Sequence, residues 1–230
     1  MSPIVRPDPR LLSAVPYLTR GGRCIDVGTD HAYLPIYLVS EGIVSRAMAC
    51  DINKGPLESA EEHILAAGLE NQIETFLTDG LQGLESFGAD DIMIFGMGGE
   101  LIIKILSEAS WVKNPKIGLV LQPMSRANLL RAYLVANGFE ILGETLSKSG
   151  KIYQTIHARF SGKKDAYTEE ELLLGRYNIE HNPPLFADFV AHELQVAKRV
   201  LQGKALSESV STEEDSRMIE ILTKRLESLL

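Results

Sequence analysis

The chain has 230 residues, of which 45% are hydrophobic and 23% charged, and its formal net charge is −8 at pH 7. This balance is typical of a globular protein and excludes a disordered or fibrous chain. The sequence contains no run of about 18 uncharged apolar residues, so no transmembrane helix is expected. The proline-containing start does not resemble a secretory signal. Cys24 and Cys50 lie in apolar runs, and we expect buried thiols in a reducing cytosol.

The charge is unevenly distributed along the chain. Residues 1–112 carry a net charge of −9, residues 113–164 carry +7, and residues 165–230 carry −6. A local basic block can meet a phosphate backbone even in an acidic chain, because salt screens each charge within about 8–10 Å. The same excess could instead solvate one end of a sheet, and the charge pattern alone leaves both interpretations open.

Up to residue 160, short apolar runs alternate with helical patterns. Strands are predicted at residues 23–27, 45–50, 72–77, 91–95 and 117–121, and helices at 32–40, 55–67, 99–108 and 125–137. Such alternation indicates βαβ units, a mostly parallel sheet and helices on both faces.

Two further strands end this region. Residues 139–146 and 152–160 both read as strands, with only residues 147–151 between them. This spacing predicts a hairpin, so one strand must run antiparallel to its neighbour. A parallel sheet that ends in a hairpin resembles the class I methyltransferases rather than the dinucleotide dehydrogenases. We therefore predict an α/β, Rossmann-like methyltransferase domain over residues 1–161.

After a polar linker the pattern becomes helical. Helices are predicted at residues 169–179, 185–201 and 213–230, the last two forming an αα-hairpin across the connection 203–212. Residues 162–230 are thus predicted to form a small, coiled-coil-like helical domain. It could contact RNA or form a dimer seam, and its net negative charge disfavours RNA unless its few cations cluster. Those cations are Arg176, Lys198, Arg199 and Lys204.

The first strand-to-helix turn is acidic. Gly28 is present, but the other glycines of a G-x-G-x-x-G turn are missing and Asp30 occupies one of their positions. A carboxylate there would repel a pyrophosphate, whereas the sulfonium and ammonium groups of S-adenosylmethionine would be attracted. Asp30 could also serve only as a helix N-cap.

Polar or glycine residues follow the next three predicted strands. Asp51 lies 25 residues after Asp26, near the offset of about 20 at which a carboxylate binds ribose hydroxyls, and Asn53 could assist it. Asp79 could accept a hydrogen bond from an adenine amino group, and Gly80 could leave room for the ring. The run from Gly96 to Gly99 allows close approach of the backbone to a ligand.

Several motifs together resemble the bacterial tRNA adenine-22 N1-methyltransferase family. They are DVGTDHAYLP (26–35), GPLESA (55–60), TDGLQ (78–82), FGMGGELI (95–102), LQP (121–123) and GKIYQTI (150–156). The resemblance covers nearly the whole chain. It implies S-adenosylmethionine as cofactor, tRNA as partner and methylation of an adenine N1 nitrogen.

The resemblance also implies roles for individual residues. The methionine end of the cofactor would be lined by Asp26, Gly28, Asp30 and His31. Asp51 would bind the ribose, with Ile52 beside it, and Asp79 and Gly80 would hold the adenine. Met97, Gly98 and Gly99 would lie beside both cofactor and target base.

Methyl transfer to N1 requires an unpaired base and a positioned cofactor, but no strong base before attack. Residues expected to grip the base or move a proton are Asp30, His31, Met97, Gly98 and Gln122, with Tyr33 or Tyr153 as an aromatic platform. The residues expected to contact RNA are Arg126, Arg131, Lys148, Lys151 and Tyr153, with Arg159, Lys163 and Lys164 as further cations.

Alternatives remain at this stage. The chain could methylate another RNA base, act as a non-catalytic RNA-binding adaptor, or be a nicotinamide-dependent reductase, although the missing glycines and the hairpin speak against the last. Asn182–Leu185 (NPPL) resembles the signature of amino-group methyltransferases, but we interpret it as a helix start. We expect no metal, no membrane association, a cytoplasmic location, and a monomer or a weak dimer through the C-terminal helices.

Overall fold

The computed structural model describes residues 6–205 and 212–229. The chain divides into two compact units, residues 1–166 and 167–230.

The first unit is built on one seven-stranded sheet, and its strand order is β3-β2-β1-β4-β5-β7-β6. The strands are β1 (Arg23–Val27), β2 (Arg46–Asp51), β3 (Ile73–Leu77), β4 (Asp91–Met97), β5 (Gly118–Pro123), β6 (Phe139–Ser149) and β7 (Lys151–Phe160). The first five strands are parallel, whereas β7 is antiparallel to both β5 and β6. The predicted Rossmann-like sheet with a terminal hairpin is confirmed.

Helices cover both faces of this sheet. They are α1 (Pro9–Leu12), α2 (Tyr33–Ser40), α3 (Lys54–Ala67), α4 (Gly99–Glu108) and α5 (Ala127–Ala136). Short 3-10 turns lie at Val15–Tyr17, Glu85–Phe87 and Ser110–Val112. Apolar side chains of the N-terminal segment (residues 6–22), α2 and α3 form one buried cluster with one face of β1, β2, β4 and β5. Both cysteines are free and buried, as predicted, and burial raises the pKa of each thiol.

The hairpin is longer than the sequence pattern predicts. Residues 147–149 and 151 are paired as strand, and Gly150 makes the turn with φ +70°. Because Leu121 of β5 pairs with Ile156 of β7, the hairpin turn extends past the carboxyl end of β5. The predicted loop at residues 147–151 was therefore wrong, and its residues overhang the edge where ligands bind in open α/β sheets.

The second unit is helical. Its helices are α6 (Glu169–Leu174), α7 (Arg176–His181), α8 (Phe186–Ala205) and α9 (Glu213–Leu229). The single helix predicted over residues 169–179 is broken at Gly175, which has φ +87°. α8 runs four residues past its predicted end, and residues 206–211 of the predicted connection lie outside the described residues.

α8 and α9 pack against each other as the predicted αα-hairpin. The Nζ of Lys204 lies 2.6 Å from Oδ2 of Asp215, and Arg225 is paired with Glu170 at 2.7 Å. NPPL connects α7 to α8, with Asn182 in a left-handed conformation at the end of α7. This placement agrees with its interpretation as a helix start.

Candidate active site

The carboxyl ends of β1 to β5 bring most of the predicted site residues to one edge of the sheet. Gly28 follows β1 with φ +75°. A Cβ atom at this position would overlap Cε of Met97, which would have to move, and the positive φ favours glycine. The N–H groups of Gly28 and Thr29 both donate to the carbonyl oxygen of Cys50, at 2.8 and 2.9 Å. The turn after β1 is thereby fixed to the end of β2.

The turn after Thr29 is strained. His31 and Ala32 are both left-handed, with φ near +57° and +55°, a conformation that costs about 1–3 kcal/mol at a residue other than glycine. Nε2 of His31 lies 3.2 Å from Oδ1 of Asp30, whose side chain is 83% exposed. Left-handed backbone at non-glycine residues concentrates at functional sites. The structure thus pairs the two side chains predicted to handle a proton.

The sequence analysis missed His63, which supports this turn. Its Nδ1 lies 3.2 Å from the carbonyl oxygen of His31, so Nδ1 carries the proton and donates to it. The rings of His31, Tyr33 and His63 also contact one another, with centroids 5.1–5.7 Å apart. His63 directly precedes Ile64 of the apolar face of α3, but nothing in that spacing reveals which loop it faces.

Asp26 lies at the end of β1 and is buried. Burial raises its pKa to about 6, the Thr29 hydroxyl and the Arg10 guanidinium lower the pKa in part, and Asp30 and Asp51 raise it further. Its negative charge is therefore costly until a cation arrives. This is the electrostatic setting expected for a residue that meets an ammonium group.

The ends of β2 and β3 form a surface of exposed apolar side chains with carboxylates beside them. Oδ1 of Asp51 accepts a hydrogen bond of 2.7 Å from the N–H of Asn53, and this turn orients the carboxylate. Ile52 and Leu77 are 61% and 47% exposed. Asp79 is exposed beside them. An apolar surface flanked by two carboxylates fits a flat, polar-edged ring and a diol.

Two glycines allow close packing between elements at this edge. A Cβ at Gly80 would lie 3.1 Å from Cγ1 of Ile105, so α4 packs closely against this glycine. A Cβ at Gly99 would lie 2.5 Å from the carbonyl oxygen of Arg126, and the Gly99 N–H donates to Ser125 at 2.8 Å. The ligand contacts predicted for these two residues stay predictions, because contact through the backbone remains open to them. Gly98 and Met97 remain at the half-buried edge.

Gln122 does not face the cleft as predicted. It is fully buried, and its Nε2 donates to the Arg10 carbonyl oxygen at 2.9 Å and to the Thr155 hydroxyl at 3.0 Å. Its Oε1 accepts a hydrogen bond of 3.2 Å from Arg10. The amide is thus committed to the N-terminal segment, and the prediction that it grips the target base was wrong.

The basic block does not form one surface. Arg131 is fully buried, with Nε 2.7 Å from Oε1 of Glu144 and a further hydrogen bond to Gln154, so its predicted phosphate contact was wrong. Arg159, Lys163 and Lys164 lie at the opposite, amino edge, because β7 runs antiparallel to β5. Three exposed cations stay near the candidate site, namely Arg126, Lys148 and Lys151.

Tyr153 lies between two cations near the hairpin turn. Cζ of Arg10 is 5.5 Å and Nζ of Lys151 is 5.2 Å from the centroid of its ring. Both distances lie within the range of cation–π attraction. In the second unit, Arg176 and Lys204 are instead paired with acidic residues, Glu171 and Asp215.

Neither a metal centre nor a membrane span is found in the described part of the chain. Within residues 6–205 and 212–229, no group of three or more His, Cys, Asp or Glu side chains could hold a metal ion. Among the described helices, none is both long and apolar enough to cross a bilayer.

Comparison with known proteins agrees with this geometry. A family described as "Methyltransferase domain" matches residues 8–156. The chain is 31% identical over 225 residues to the tRNA (adenine(22)-N(1))-methyltransferase of Bacillus subtilis, covering 96% of this chain and 94% of that protein.

Solved structures agree as well. The B. subtilis m1A22 tRNA methyltransferase TrmK matches with a TM-score of 0.79 and 29% identity, over 97% of each chain. Streptococcus pneumoniae Sp1610 in complex with S-adenosyl-L-methionine matches with a TM-score of 0.82 and 28% identity, over 94% of this chain and 98% of that one. The fold, the acidic strand ends and these matches together place the chain in the tRNA (adenine(22)-N(1))-methyltransferase family.

Proposed function

We propose that this chain transfers the methyl group of S-adenosylmethionine to the N1 nitrogen of adenine 22 in tRNA. The observation that carries the proposal is the row of carboxylates Asp26, Asp51 and Asp79 at the ends of β1, β2 and β3, next to the glycine turn at Gly28. Membership of the family supports the substrate.

Asp51 and its neighbours are assigned to the nucleoside part of the cofactor. The Asn53 N–H holds one carboxylate oxygen of Asp51, and the pair of oxygens can accept both ribose hydroxyls. The exposed side chains of Ile52 and Leu77 offer apolar surface to the adenine ring. Asp79 is assigned to accept a hydrogen bond from the adenine amino group.

Asp26 and Asp30 are assigned to the methionine part. When bound, the cofactor supplies a methyl group made electrophilic by a sulfonium. Asp26 precedes the turn at Gly28 and is buried, and burial makes its ionised form unfavourable. A nearby ammonium group would stabilise that ionised form. Met97 lies against Gly28 and lines the same space.

Asp30 and His31 are assigned to the target base. The N1 lone pair of a neutral adenine attacks without prior deprotonation, and the methylated ring is cationic. The exposed Asp30 carboxylate can stabilise this charge, and the Asp30–His31 pair can accept an amino proton afterwards. N1 is engaged in Watson–Crick pairing in a duplex, so the base must be unpaired, with Tyr33 or Tyr153 available for stacking.

The RNA side of the site is assigned to the hairpin and the start of α5. Arg126, Lys148 and Lys151 are exposed cations there, and Tyr153 lies beside them. We further assign residues 1–161 to the methyltransferase domain and residues 162–230 to a helical domain, in a cytoplasmic enzyme that is a monomer or a weak dimer through those helices.

The test is incubation of the protein with unmodified tRNA and methyl-labelled S-adenosylmethionine, followed by nucleoside analysis. We expect labelled N1-methyladenosine, and no label in the same tRNA with adenine 22 replaced by guanine. N6-methyladenosine would instead implicate amino-group chemistry, and an unlabelled tRNA would contradict the proposal.

A further inference from the structure

The N-terminal segment, residues 6–22, runs from the carboxyl edge of the sheet, where Asp8 contacts Ser149, to the amino edge, where the Thr19 N–H donates to Asp91. The Ser13 and Thr155 hydroxyls are 2.6 Å apart, and Ser149 donates to Oδ2 of Asp8 at 2.6 Å. The buried amide of Gln122 donates to the Arg10 carbonyl oxygen. These contacts tie the segment to β5, β6 and β7. The backbone of Arg10 is therefore fixed at the carboxyl edge of the sheet.

The Arg10 side chain is held over that edge. One guanidinium nitrogen donates to Oε1 of Gln122 at 3.2 Å, and Cζ lies 5.5 Å from the centroid of Tyr153. Arg131, by contrast, is neutralised by a carboxylate 2.7 Å away. The described contacts of the Arg10 guanidinium are an amide oxygen and an aromatic ring. Among the described residues no carboxylate lies within ion-pair distance of it, and Asp8 and Asp26 interact with its charge only at longer range.

Strand register shows where this charge points. Asp26 pairs with Met93, and Met93 with Val120, so these side chains share a face of the sheet. Gln122 follows Val120 by two positions and lies on the same face. The Arg10 guanidinium donates a hydrogen bond to Gln122, and its charge lowers the pKa of Asp26. It therefore faces the space between the turn at Gly28 and the hairpin.

An acidic cleft leaves one requirement of its ligands unmet. S-adenosylmethionine carries an α-carboxylate besides its two cationic groups, and every tRNA nucleotide carries a phosphate. The carboxylates that suit the ammonium group repel both of these anions. An arginine presents a planar fork of N–H donors that matches either oxyanion.

We propose that Arg10 is the oxyanion-binding residue of this active site. The inference rests on the proposed function and extends it to a segment that the sequence motifs do not include. Two ligand groups can be this oxyanion, namely the methionine carboxylate of the cofactor and the phosphate next to the target adenosine. Both present negatively charged oxygen atoms to the guanidinium. Gln122 is then a positioning residue, because it acts only through Arg10.

Arg10→Gln tests the proposal, because glutamine removes the charge and the fork but retains a polar side chain beside Gln122. Arg20→Gln is the matched control, since Arg20 is an exposed arginine shortly before β1, at the opposite edge of the sheet. Calorimetry measures the affinity of each protein for S-adenosylhomocysteine and for 5′-methylthioadenosine, which lacks the amino-acid part. Filter binding measures tRNA affinity as a function of salt.

A carboxylate contact predicts that Arg10→Gln weakens S-adenosylhomocysteine about tenfold or more and leaves methylthioadenosine unchanged, because charged hydrogen bonds are the strong ones. A phosphate contact predicts unchanged S-adenosylhomocysteine affinity, weaker tRNA binding and a salt slope reduced by about one. Either result supports the proposal, and Arg20→Gln should match the wild type throughout.

Two results would overturn it. One is a variant with wild-type affinity for all three ligands. The other is an equal loss for both nucleosides with a lower melting temperature, which would indicate a purely structural role. The readouts do not need methyl transfer, so a wild-type protein that binds S-adenosylhomocysteine but fails to methylate tRNA would refute the proposed function and leave the Arg10 test intact.

Discussion

The two halves of the ligand-binding edge are built from opposite charges. On the side of β1, β2 and β3 the strand ends carry Asp26, Asp51 and Asp79, whereas the hairpin of β6 and β7 brings Lys148 and Lys151 past the end of β5. The acidic half suits a cationic small molecule, and the basic half suits a polyanion. Because both lie along one edge of one sheet, the target base and the methyl donor can meet where the halves join.

Charge alone does not assign a residue to either half. The basic block of residues 113–164 contains a fully buried arginine, three exposed cations near the site and others at the opposite edge of the sheet. Conversely, Arg10 comes from an acidic stretch of sequence and reaches the join between the halves. The position of a residue in the sheet therefore decides to which half it belongs. Substitutions in the acidic half should affect cofactor binding, and substitutions in the basic half should affect tRNA binding.

The largest effect is expected from Arg131→Met. Arg131 and Glu144 are 0% and 2% exposed, so loss of the arginine leaves a buried carboxylate without its counter-ion. Unfolding free energy should fall by about 3–5 kcal/mol, measured by urea denaturation. Replacing both partners, as Arg131→Met with Glu144→Leu, should recover much of the loss. If Arg131→Met left stability intact and instead reduced tRNA affinity, Arg131 would belong to the RNA surface after all.

Asp51→Ala should weaken the cofactor most strongly on the acidic half. Two charge-assisted hydrogen bonds to a ribose diol would be lost, and the affinity for S-adenosylhomocysteine should fall about 100-fold by calorimetry. Asp51→Asn keeps an acceptor for the Asn53 N–H and should lose less. An unchanged affinity in the alanine variant would remove Asp51 from the cofactor site.

Cofactor affinity should depend on pH through Asp26. Its pKa is raised to about 6, so it is partly protonated near that pH and must lose its proton to meet an ammonium group. Affinity should therefore fall by up to about tenfold per pH unit below 6. Asp26→Asn should flatten this profile, and a wild-type profile without any slope between pH 5 and 7 would contradict the assignment.

Asp26→Asn should also change the stability of the folded protein. The pKa of Asp26 in the folded state lies above the ordinary aspartate value of 3.8, so its ionisation destabilises the folded protein as pH rises from about 4 to 6. Asp26→Asn should be more stable than the wild type at pH 7, and the difference should vanish below pH 4. Thermal melting at both pH values measures it.

The smallest effect is expected on the basic half. Lys148→Gln with Lys151→Gln removes two exposed charges, and tRNA affinity should fall about three- to tenfold at physiological salt, with the salt slope reduced by about two. Lys163→Gln with Lys164→Gln is the control at the amino edge and should change neither quantity. Equal losses of tRNA affinity in both double variants would mean that tRNA does not bind preferentially at the carboxyl edge of the sheet.

Local sequence signals predicted much of this architecture. Apolar runs and helix signals located all seven strands, and the strand ends pointed to Asp26, Asp51 and the turn at Gly28. The failures share a cause. Arg131 is paired with Glu144 of another element, and Gln122 binds a segment more than 100 residues away.

The sequence by itself determined the order of strands and helices, the acidic residues at the strand ends and the family resemblance. These depend on periodicity and on neighbours along the chain, which sequence displays directly. Tertiary structure alone decided that Arg131 is buried against Glu144, that His63 supports the His31 turn, and that Arg10 reaches the site. Each of these depends on the packing of elements far apart in the chain, and burial and charge compensation are properties of that packing.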